Sequence, residues 1–486
     1  MISDNFLEKK LHTFFGYTSF KEGQKQIIDS LLKRQSTLGI LPTGTGKSLC
    51  YQLAGKLLNQ TVLIVSPLLS LMQDQVEQLH FIGEKKAIAV TSELSYQHKY
   101  FVIHHLREYD YVYMAPEMLQ KEEVLEQLKT ISLGLFVVDE AHCISQWGPD
   151  FRPDYLDLKI IRQKLGNPVT LALTATATPE VEQDICRQLF NENESIKIVR
   201  RSVDRPNIFL AAKQVDTQQQ KDEYLLEILP QLATPILLYF SSKKKADEIS
   251  QLLNDRTDLK TAAYHAGLSK KDRYSIQQQF MNDQLDAVCA TSAFGMGINK
   301  KNIRCVLHYH LPADLESYSQ EIGRAGRDGQ RSLALLLFNP ADIDLQRHLS
   351  SNSLPDDGEI EYYFNHKDLI NSCLQGSDKK NLLEYYAGRF LTPLKLKQIF
   401  KKRRFEREKK LQELIAYVET AKCRRNFLCK YFGEEKKADH NVDCCQPAGQ
   451  PLVLDNFLLH KPGNNYTKSL EDYRKVISHL FNENKR

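Results

Sequence analysis

A short apolar segment that ends in two carboxylates constrains the fold of this chain more than any other feature. The segment Leu135–Val138 is followed directly by Asp139 and Glu140. An uninterrupted apolar run of this length is typical of a strand that is buried on both faces of a parallel sheet. Because open α/β sheets bind ligands at the carboxyl ends of their strands, Asp139 and Glu140 are predicted to lie at a ligand site.

The loop after these carboxylates carries an aromatic and basic cluster, formed by Trp147, Phe151 and Arg152. Such side chains can stack on the bases of a single strand and pair with its backbone. A packed loop that places its tryptophan in a core pocket is the alternative. The closeness of the cluster to the carboxylates suggests nucleotide hydrolysis coupled to nucleic-acid binding.

A glycine-rich turn, Thr43-Gly44-Thr45-Gly46-Lys47-Ser48, follows a predicted strand and precedes a predicted helix. Backbone N–H groups of such a turn cradle phosphates, so the pattern predicts an ATP site with Mg²⁺. Lys47 would reach the β- and γ-phosphates, and the Ser48 hydroxyl would bind Mg²⁺. The first glycine that is usual in this pattern is replaced by Leu41.

The two carboxylates complete this interpretation. Asp139 is expected to hold the Mg²⁺, and Glu140 to orient the attacking water and accept its proton. Acidic residues that merely begin a helix are the alternative. Upstream, within residues 1–33 that are predicted to be helical, Tyr17 and Gln24 are candidates for stacking on adenine and for pairing with its edge. A plain helix N-terminus would explain these two residues equally well.

A second series of alternating strands and helices follows a predicted linker at about residues 200–210. The alternation predicts a second parallel sheet, without a phosphate loop of its own. Its notable residues are Arg324 and Arg327, three apart, which a helix would place on one face. Arginines supplied by a second domain can stabilise charge on the transferring phosphoryl group, an effect of roughly 10³–10⁵ in rate. A salt-bridged surface pair is the alternative.

Hydroxyl side chains lie where two further predicted strands end. Ser66 is placed to contact a nucleic-acid phosphate, and Thr174 and Thr176 are placed to connect the nucleotide site with a nucleic-acid site by hydrogen bonds. Plain turns and helix caps are the alternatives.

The composition excludes some classes of protein. The net charge is only +4, so a nucleic-acid surface must be local. The sequence shows neither a signal-peptide pattern nor an apolar run near the length of a membrane span, about 18 residues. Most of the ten cysteines stand singly in apolar runs, which favours reduced core thiols. A cytoplasmic, nucleoid-associated protein is therefore expected.

Taken together, residues 10–340 resemble the RecQ family of superfamily 2 DNA helicases. The resemblance is carried by Phe-Gly-Tyr with Phe-Lys-x-Gly-Gln24, Pro-Thr-Gly-Thr-Gly-Lys-Ser48, Ser66-Pro-Leu-Leu-Ser-Leu-Met-Gln-Asp-Gln75, Asp139-Glu-Ala-His-Cys-Ile-Ser-Gln-Trp-Gly148, Ser292-Ala-Phe-Gly-Met-Gly-Ile298 and Gln320-Glu-x-Gly-Arg-Ala-Gly-Arg-Asp-Gly329. It implies two tandem RecA-like P-loop domains that close on ATP and step 3′→5′ along single-stranded DNA.

The resemblance also assigns residues. It implies that Tyr17, Lys21, Gln24 and Gln320 belong to the nucleotide site. It also implies a set of nucleic-acid contacts, formed by Ser66, Trp147, Phe151, Arg152, Thr174, Thr176 and Ser292. Three positions depart from the family, because Lys21 stands for a usual Arg, Pro149 for a usual His and Asn299 for a usual Asp.

The segment from Cys423 onward resembles the start of the family's zinc module. Three cysteines and one histidine, Cys423, Cys444, Cys445 and His440, are candidate ligands, since structural zinc sites use four Cys or His residues. A metal-free module is the alternative. Cys429 lies in an apolar register and is expected in the core. The basic stretch 400–410 is either a phosphate contact or a solvated helix face.

The resemblance yields a domain plan. It places one RecA-like domain at 1–205 and a second at 206–343. A mostly helical, zinc-module-like region follows at 344–446 with an insertion at about 350–398, and then a short tail at 447–486. A winged-helix domain and the family's small helical C-terminal domain do not fit in this length.

The prediction is an α/β ATP-dependent DNA helicase of RecQ type, serving recombination, repair or replication. Its expected partners are single-stranded DNA, tailed or forked duplexes and a single-strand DNA-binding protein, and it is expected to be monomeric. An RNA helicase and an annealing protein that ATP merely switches are the rivals.

Overall fold

The computed structural model describes residues 4–91, 93–145, 152–294, 300–366, 378–389, 391–435, 444–446, 452 and 457. Within these residues the chain forms two parallel β-sheets with helices packed around them, followed by a helical C-terminal region. None of the described helices is both long and apolar enough to cross a membrane.

The first sheet has seven strands in the order β3-β4-β2-β5-β6-β1-β7, and every neighbouring pair is parallel. The strands are β1 (Thr37–Ile40), β2 (Thr61–Val65), β3 (Ala87–Val90), β4 (Tyr111–Met114), β5 (Leu133–Val138), β6 (Thr170–Thr174) and β7 (Lys197–Arg200). The helices are α1 (Asp4–Phe15), α2 (Gln24–Leu32), α3 (Ser48–Leu58), α4 (Leu69–Phe81), α5 (Tyr96–His104), α6 (Pro116–Leu119), α7 (Glu122–Lys129), α8 (Leu158–Lys164) and α9 (Pro179–Leu189).

The second sheet has six strands in the order β10-β11-β9-β12-β13-β8, and its pairs are parallel as well. The strands are β8 (Ile208–Gln214), β9 (Ile236–Tyr239), β10 (Thr261–Tyr264), β11 (Ala287–Ala290), β12 (Cys305–His308) and β13 (Ser332–Phe338). The helices are α10 (Gln218–Ile228), α11 (Lys243–Arg256), α12 (Lys270–Met281) and α13 (Leu315–Ile322).

The helices after the second sheet are α14 (Ala341–Asn352), α15 (Asp357–Asn365), α16 (Asp378–Ala387), α17 (Pro393–Glu419) and α18 (Arg424–Tyr431). The predicted fold class, two parallel-sheet units followed by a mostly helical region, is confirmed. The apolar run Leu135–Val138 is fully buried in β5, as its composition predicted.

The C-terminal helices complete the core of the second sheet. Leu414 and Tyr417 of α17 and Leu428 of α18 belong to one buried cluster with Val306 and Ala334 of the sheet. The Tyr417 and Tyr318 rings lie 5.2 Å apart, so α17 packs directly on α13. The helical region is therefore part of the hydrophobic interior of the second unit.

A buried histidine makes the stability of this second unit depend on pH. His310 Nδ1 accepts a hydrogen bond from the Ser241 N–H at 3.2 Å, which requires that nitrogen to be unprotonated. Burial, with the ammonium groups of Lys221 and Lys245, lowers the pKa of His310 to about 3. The unfolded chain has the ordinary value of about 6.5. The stabilisation is therefore complete above the unfolded pKa and is lost as pH falls toward the folded pKa.

We expect the free energy of unfolding to fall by about 2 kcal/mol as the pH is lowered from 7 to 5, because only the unfolded chain protonates His310 in this range. His310→Asn keeps an acceptor for Ser241 and should flatten that pH dependence, as measured by urea unfolding at both pH values. The same change at the exposed His98 is the control and should leave the slope intact. An unchanged slope in His310→Asn would contradict the assignment.

Candidate functional site

The phosphate loop runs from the end of β1 to the start of α3, at the carboxyl edge of the first sheet. Gly44 and Gly46 have φ angles of +85° and +72°, in the left-handed region where glycine is strongly favoured. The Lys21 ammonium donates to the Gly44 carbonyl oxygen at 2.7 Å. The loop is therefore shaped by its own glycines and fastened by a lysine from the preceding segment.

Gln24 also fastens this loop. Its Nε2 donates to the carbonyl oxygens of Thr45 at 2.7 Å and Gly46 at 3.0 Å, while its Oε1 accepts from the Lys21 N–H at 2.8 Å. Tyr17, which is 54% exposed, lines the same cavity. The structure thus brings both predicted adenine residues to the loop, with the Gln24 amide bonded to the loop itself and the Tyr17 ring on the open side.

Asp139 and Glu140 follow β5 and are buried beside the loop. The Glu140 N–H donates to Asp139 Oδ1 at 3.0 Å, and Glu140 has a φ of +48°. Burial and the adjacent Glu140 charge raise the pKa of Asp139, and the Lys47 ammonium opposes that rise. Two buried neighbouring carboxylates repel each other, so the arrangement favours a divalent cation between them.

His142, which the sequence analysis did not single out, connects these carboxylates to the end of β6. Its Nδ1 lies 3.4 Å from Glu140 Oε2 and 3.0 Å from Thr174 Oγ1. The Thr174 hydroxyl donates in turn to the Thr176 carbonyl oxygen at 3.0 Å. A buried polar path therefore leads from Glu140 to Thr176. The position of His142 in the sequence, two residues after Glu140, is the signal that could have indicated this contact.

The arginine loop (323–329) comes from the second sheet and contacts the phosphate loop. The prediction that Arg324 and Arg327 share a helix face is wrong, because α13 ends at Ile322 and both arginines lie in the turns that follow. The glycines of this loop allow those turns, and Gly326 has a φ of +53°. Arg327 Cγ lies 3.0 Å from the position that a Cβ on Gly44 would occupy.

The two loops enclose one cavity of about 390 Å³, and its charge is strongly positive. Its lining contains five cations, Lys21, Lys47, Lys301, Arg324 and Arg327, against the two carboxylates Asp139 and Glu140. Burial and the charges of Arg324 and Arg205 lower the pKa of Arg327 to about 9. Burial also lowers the pKa of Lys21, with help from Lys301 and two arginines. Gln320 of α13 completes the lining, and such a cavity suits a polyanion.

The predicted nucleic-acid residues fall in different environments. Trp147 and Phe151 lie outside the described residues, and Arg152 is half-buried. The three hydroxyls of Ser66, Thr174 and Thr176 are buried, whereas Ser292 is exposed. Because Thr174 and Thr176 are enclosed, their place in the path from His142 fits the connecting role that the sequence suggested better than direct contact.

Three of the predicted zinc ligands lie together. The Sγ atoms of Cys423, Cys444 and Cys445 are 3.5–3.6 Å apart, close to the roughly 3.8 Å edge of a tetrahedral zinc–thiolate site. Burial and the neighbouring cysteines raise the pKa of Cys444 to about 12. Three such thiols ionise together only beside a cation, so the donor set fits a divalent metal. His440 lies outside the described residues, and Cys429 is buried, as predicted.

The fold and this site define a class of protein. Two parallel-sheet units, one with a phosphate loop and one with an arginine loop, have the RecA-like architecture of helicases. Solved helicases share the fold. Mycobacterium smegmatis Lhr bound to ssDNA and AMP-PNP matches with a TM-score of 0.56 and 21% identity, over 72% of this chain and 50% of Lhr. The DEAD-box helicase Mss116 bound to ssRNA matches with a TM-score of 0.57 and 15% identity, over 85% of this chain and 90% of Mss116.

The sequence comparisons identify the family. Residues 21–185 match the DEAD/DEAH box helicase profile, 220–329 the helicase conserved C-terminal domain and 389–447 the RecQ zinc-binding profile. "Probable ATP-dependent DNA helicase RecS" of Bacillus subtilis (strain 168) is 41% identical over 92% of this chain and 93% of that protein. "ATP-dependent DNA helicase RecQ" of the same organism is 38% identical over 90% of this chain and 65% of that protein. The chain belongs to the RecQ family of ATP-dependent DNA helicases.

Proposed function

We propose that this chain hydrolyses ATP to move 3′→5′ along single-stranded DNA and to separate duplexes during recombination, repair or replication. The contact between the phosphate loop and the arginine loop carries this proposal. Because each loop belongs to a different sheet, a nucleotide in their shared cavity holds the two units together, and its hydrolysis releases them. Repeated closing and opening would advance a bound strand.

Within this cavity we assign roles by position. The backbone of 43–46, with Lys47, would bind the phosphates. Ser48 and Asp139 would hold Mg²⁺, which would neutralise phosphate charge. Glu140 would accept the proton of the attacking water, because its carboxylate lines the cavity beside Asp139. Arg324 and Arg327 stabilise the charge that develops on the transferred group. Tyr17, Lys21, Gln24 and Gln320 hold the rest of the nucleotide or its loop.

The DNA contacts are assigned to the first unit and to the edge of the second. Trp147, Phe151 and Arg152 would stack on bases and pair with phosphate, and the exposed Ser292 would add a hydrogen bond to the DNA backbone. The Ser66 hydroxyl is buried, so its phosphate contact stays a prediction. The path from Glu140 through His142 to Thr174 and Thr176 would connect strand binding with hydrolysis. DNA rather than RNA is supported by the names of the two Bacillus subtilis relatives, which are 41% and 38% identical to this chain.

We further propose that Cys423, Cys444 and Cys445 hold a structural Zn²⁺, with His440 as the fourth ligand. Cys444→Ser is expected to abolish zinc binding and to lower the melting temperature by about 5 °C, because metal binding contributes directly to folding. Zinc content measured by plasma mass spectrometry, together with thermal melting, tests this. Cys186→Ser, a half-buried thiol of α9, is the control. A metal-free wild-type protein would refute the zinc site.

Strand separation on tailed duplexes tests the proposed function. Duplexes with a 3′ or a 5′ single-stranded DNA tail are incubated with ATP and the full chain, with Lys47→Ala as the inactive control. Unwinding of the 3′-tailed duplex alone supports the proposal, and unwinding of the 5′-tailed duplex refutes the polarity. DNA-stimulated hydrolysis without strand separation would indicate a translocase or an ATP-switched annealing protein. Stronger stimulation by RNA would indicate an RNA helicase.

The monomeric state, the single-strand DNA-binding partner, the nucleoid location and the proposed domain limits stay predictions. Size-exclusion chromatography with light scattering tests the first of them.

A further inference from the structure

One arginine outside the cavity bonds both of the loops that enclose it. Arg205 lies in the segment between β7 and β8. Its Nη1 donates to the carbonyl oxygens of Thr43 and Gly323, both at 3.1 Å. Its Nη2 donates to those of Ala325 at 3.0 Å and Gly326 at 2.9 Å. A single guanidinium thus joins one carbonyl of the phosphate loop to three carbonyls of the arginine loop.

Only arginine has the geometry for this set of contacts. Its planar fork presents donors in fixed directions, whereas a lysine ammonium is a single point that cannot span four carbonyl groups. No ion pair of Arg205 with a carboxylate is found among the described residues, and burial lowers its pKa, which the charge of Asp328 opposes. Main-chain carbonyl dipoles therefore provide most of the compensation for its charge.

The two loops that Arg205 joins approach each other closely. A Cβ on Gly323 would lie 3.0 Å from Thr43 Cβ, and a Cβ on Gly44 would lie 3.0 Å from Arg327 Cγ. The two backbones are therefore near their closest approach at the place where Arg205 bonds both. A shift in this contact moves Arg327 relative to the phosphate loop.

The bonds are unequal in number on the two sides, with three on the second unit and one on the first. Asn207 adds two more bonds on the second unit, because its amide donates to the carbonyl oxygens of Gly326 at 2.8 Å and Gln330 at 2.9 Å. If the cleft opens, the three bonds to the arginine loop would keep Arg205 on the second unit, and only its bond to Thr43 would have to break. Such an attachment can form and release once in each turnover.

We propose that Arg205 is a positioning residue, which sets the distance of Arg324 and Arg327 from the bound phosphates by tying the arginine loop to the phosphate loop. This inference rests on the proposed function, in which those two arginines act on the transferred phosphoryl group. It adds a residue that does not line the nucleotide cavity but determines how the catalytic groups meet.

Arg205→Lys in the full chain tests the inference. A misplacement of about 1 Å in a catalytic group can cost about 10²-fold in rate, so we expect a loss of that order in the kcat of DNA-stimulated ATP hydrolysis. The KM for ATP and the melting temperature should stay near wild type, because the phosphate loop and the fold are intact. Arg201→Lys, in the same segment but bonded to Gln26 and paired with Glu22 of the first unit, is the matched control.

A double-variant comparison separates positioning from a merely structural role. Because Arg205 acts through the arginine loop, Arg205→Lys should slow Arg327→Ala much less than it slows the wild type. Unchanged kcat in Arg205→Lys, or additive losses in the double variant, overturns the inference. A fall in melting temperature that parallels the loss of kcat overturns it as well. If Arg327→Ala itself keeps full kcat, the arginine role in the proposed function fails, and the positioning role fails with it.

Discussion

Glu140→Gln is expected to reduce the kcat of DNA-stimulated ATP hydrolysis by about 10³-fold, the usual range for loss of a positioned general base. The amide has nearly the same shape as the carboxylate but cannot accept the proton of the attacking water. ATP binding should persist, because the change leaves the phosphate loop intact and removes a negative charge beside Asp139. That charge helps to raise the pKa of Asp139, so Asp139 should ionise more readily in the variant.

Single-turnover hydrolysis and equilibrium binding of a fluorescent ATP analogue measure the two quantities separately. Glu123→Gln, an exposed residue in the first turn of α7, is the control and should behave as wild type. Retained kcat in Glu140→Gln would remove the general-base role. If DNA annealing but not unwinding survives in this variant, the chain has a strand-binding activity that does not need turnover.

Arg327→Ala is expected to reduce the kcat of ATP hydrolysis by roughly 10³–10⁵-fold, because an arginine supplied by the second domain stabilises the transferring phosphoryl group. Arg327 is half-buried at the cavity wall, and burial with two neighbouring arginines lowers its pKa to about 9. A bound polyphosphate relieves that crowding. Arg327→Lys is not expected to restore the rate, since lysine lacks the bidentate fork.

The kcat and KM for ATP of both variants decide this prediction, with the exposed Arg331→Ala of the following segment as the control. A raised KM with unchanged kcat would show that Arg327 binds the nucleotide equally in the ground state and the transition state. That result would remove the transition-state role of the arginines from the proposed function and, with it, the positioning role of Arg205.

Local chemistry made part of this site predictable from the sequence. The buried strand before Asp139, the glycine turn before Lys47 and the alternating second half each follow from periodicity and turn chemistry. Parallel strands then bring their carboxyl ends to one edge, which is why Ser48 and Asp139, 91 positions apart in the sequence, line one cavity.

Contacts that depend on tertiary geometry were not predictable in the same way. Spacing alone suggested a helix for Arg324 and Arg327, but α13 ends at Ile322 and Gly326, between the two arginines, has a φ of +53°. Nothing in the local pattern of Asp-Arg-Pro-Asn at 204–207 indicates that Arg205 reaches four carbonyls in two distant loops. The buried position of Thr174 beside His142 also depends on how β5 and β6 pair.

The core that α17 and α18 share with the second sheet has a consequence for how the protein loses its structure. Residues such as Tyr417 and Leu428 cover apolar surface that the sheet cannot cover alone. We infer that the sheet and these helices melt as one cooperative unit. A truncated chain that stops at the predicted limit near residue 343 would keep every group around the nucleotide but expose this surface, and it would aggregate rather than act as a minimal motor.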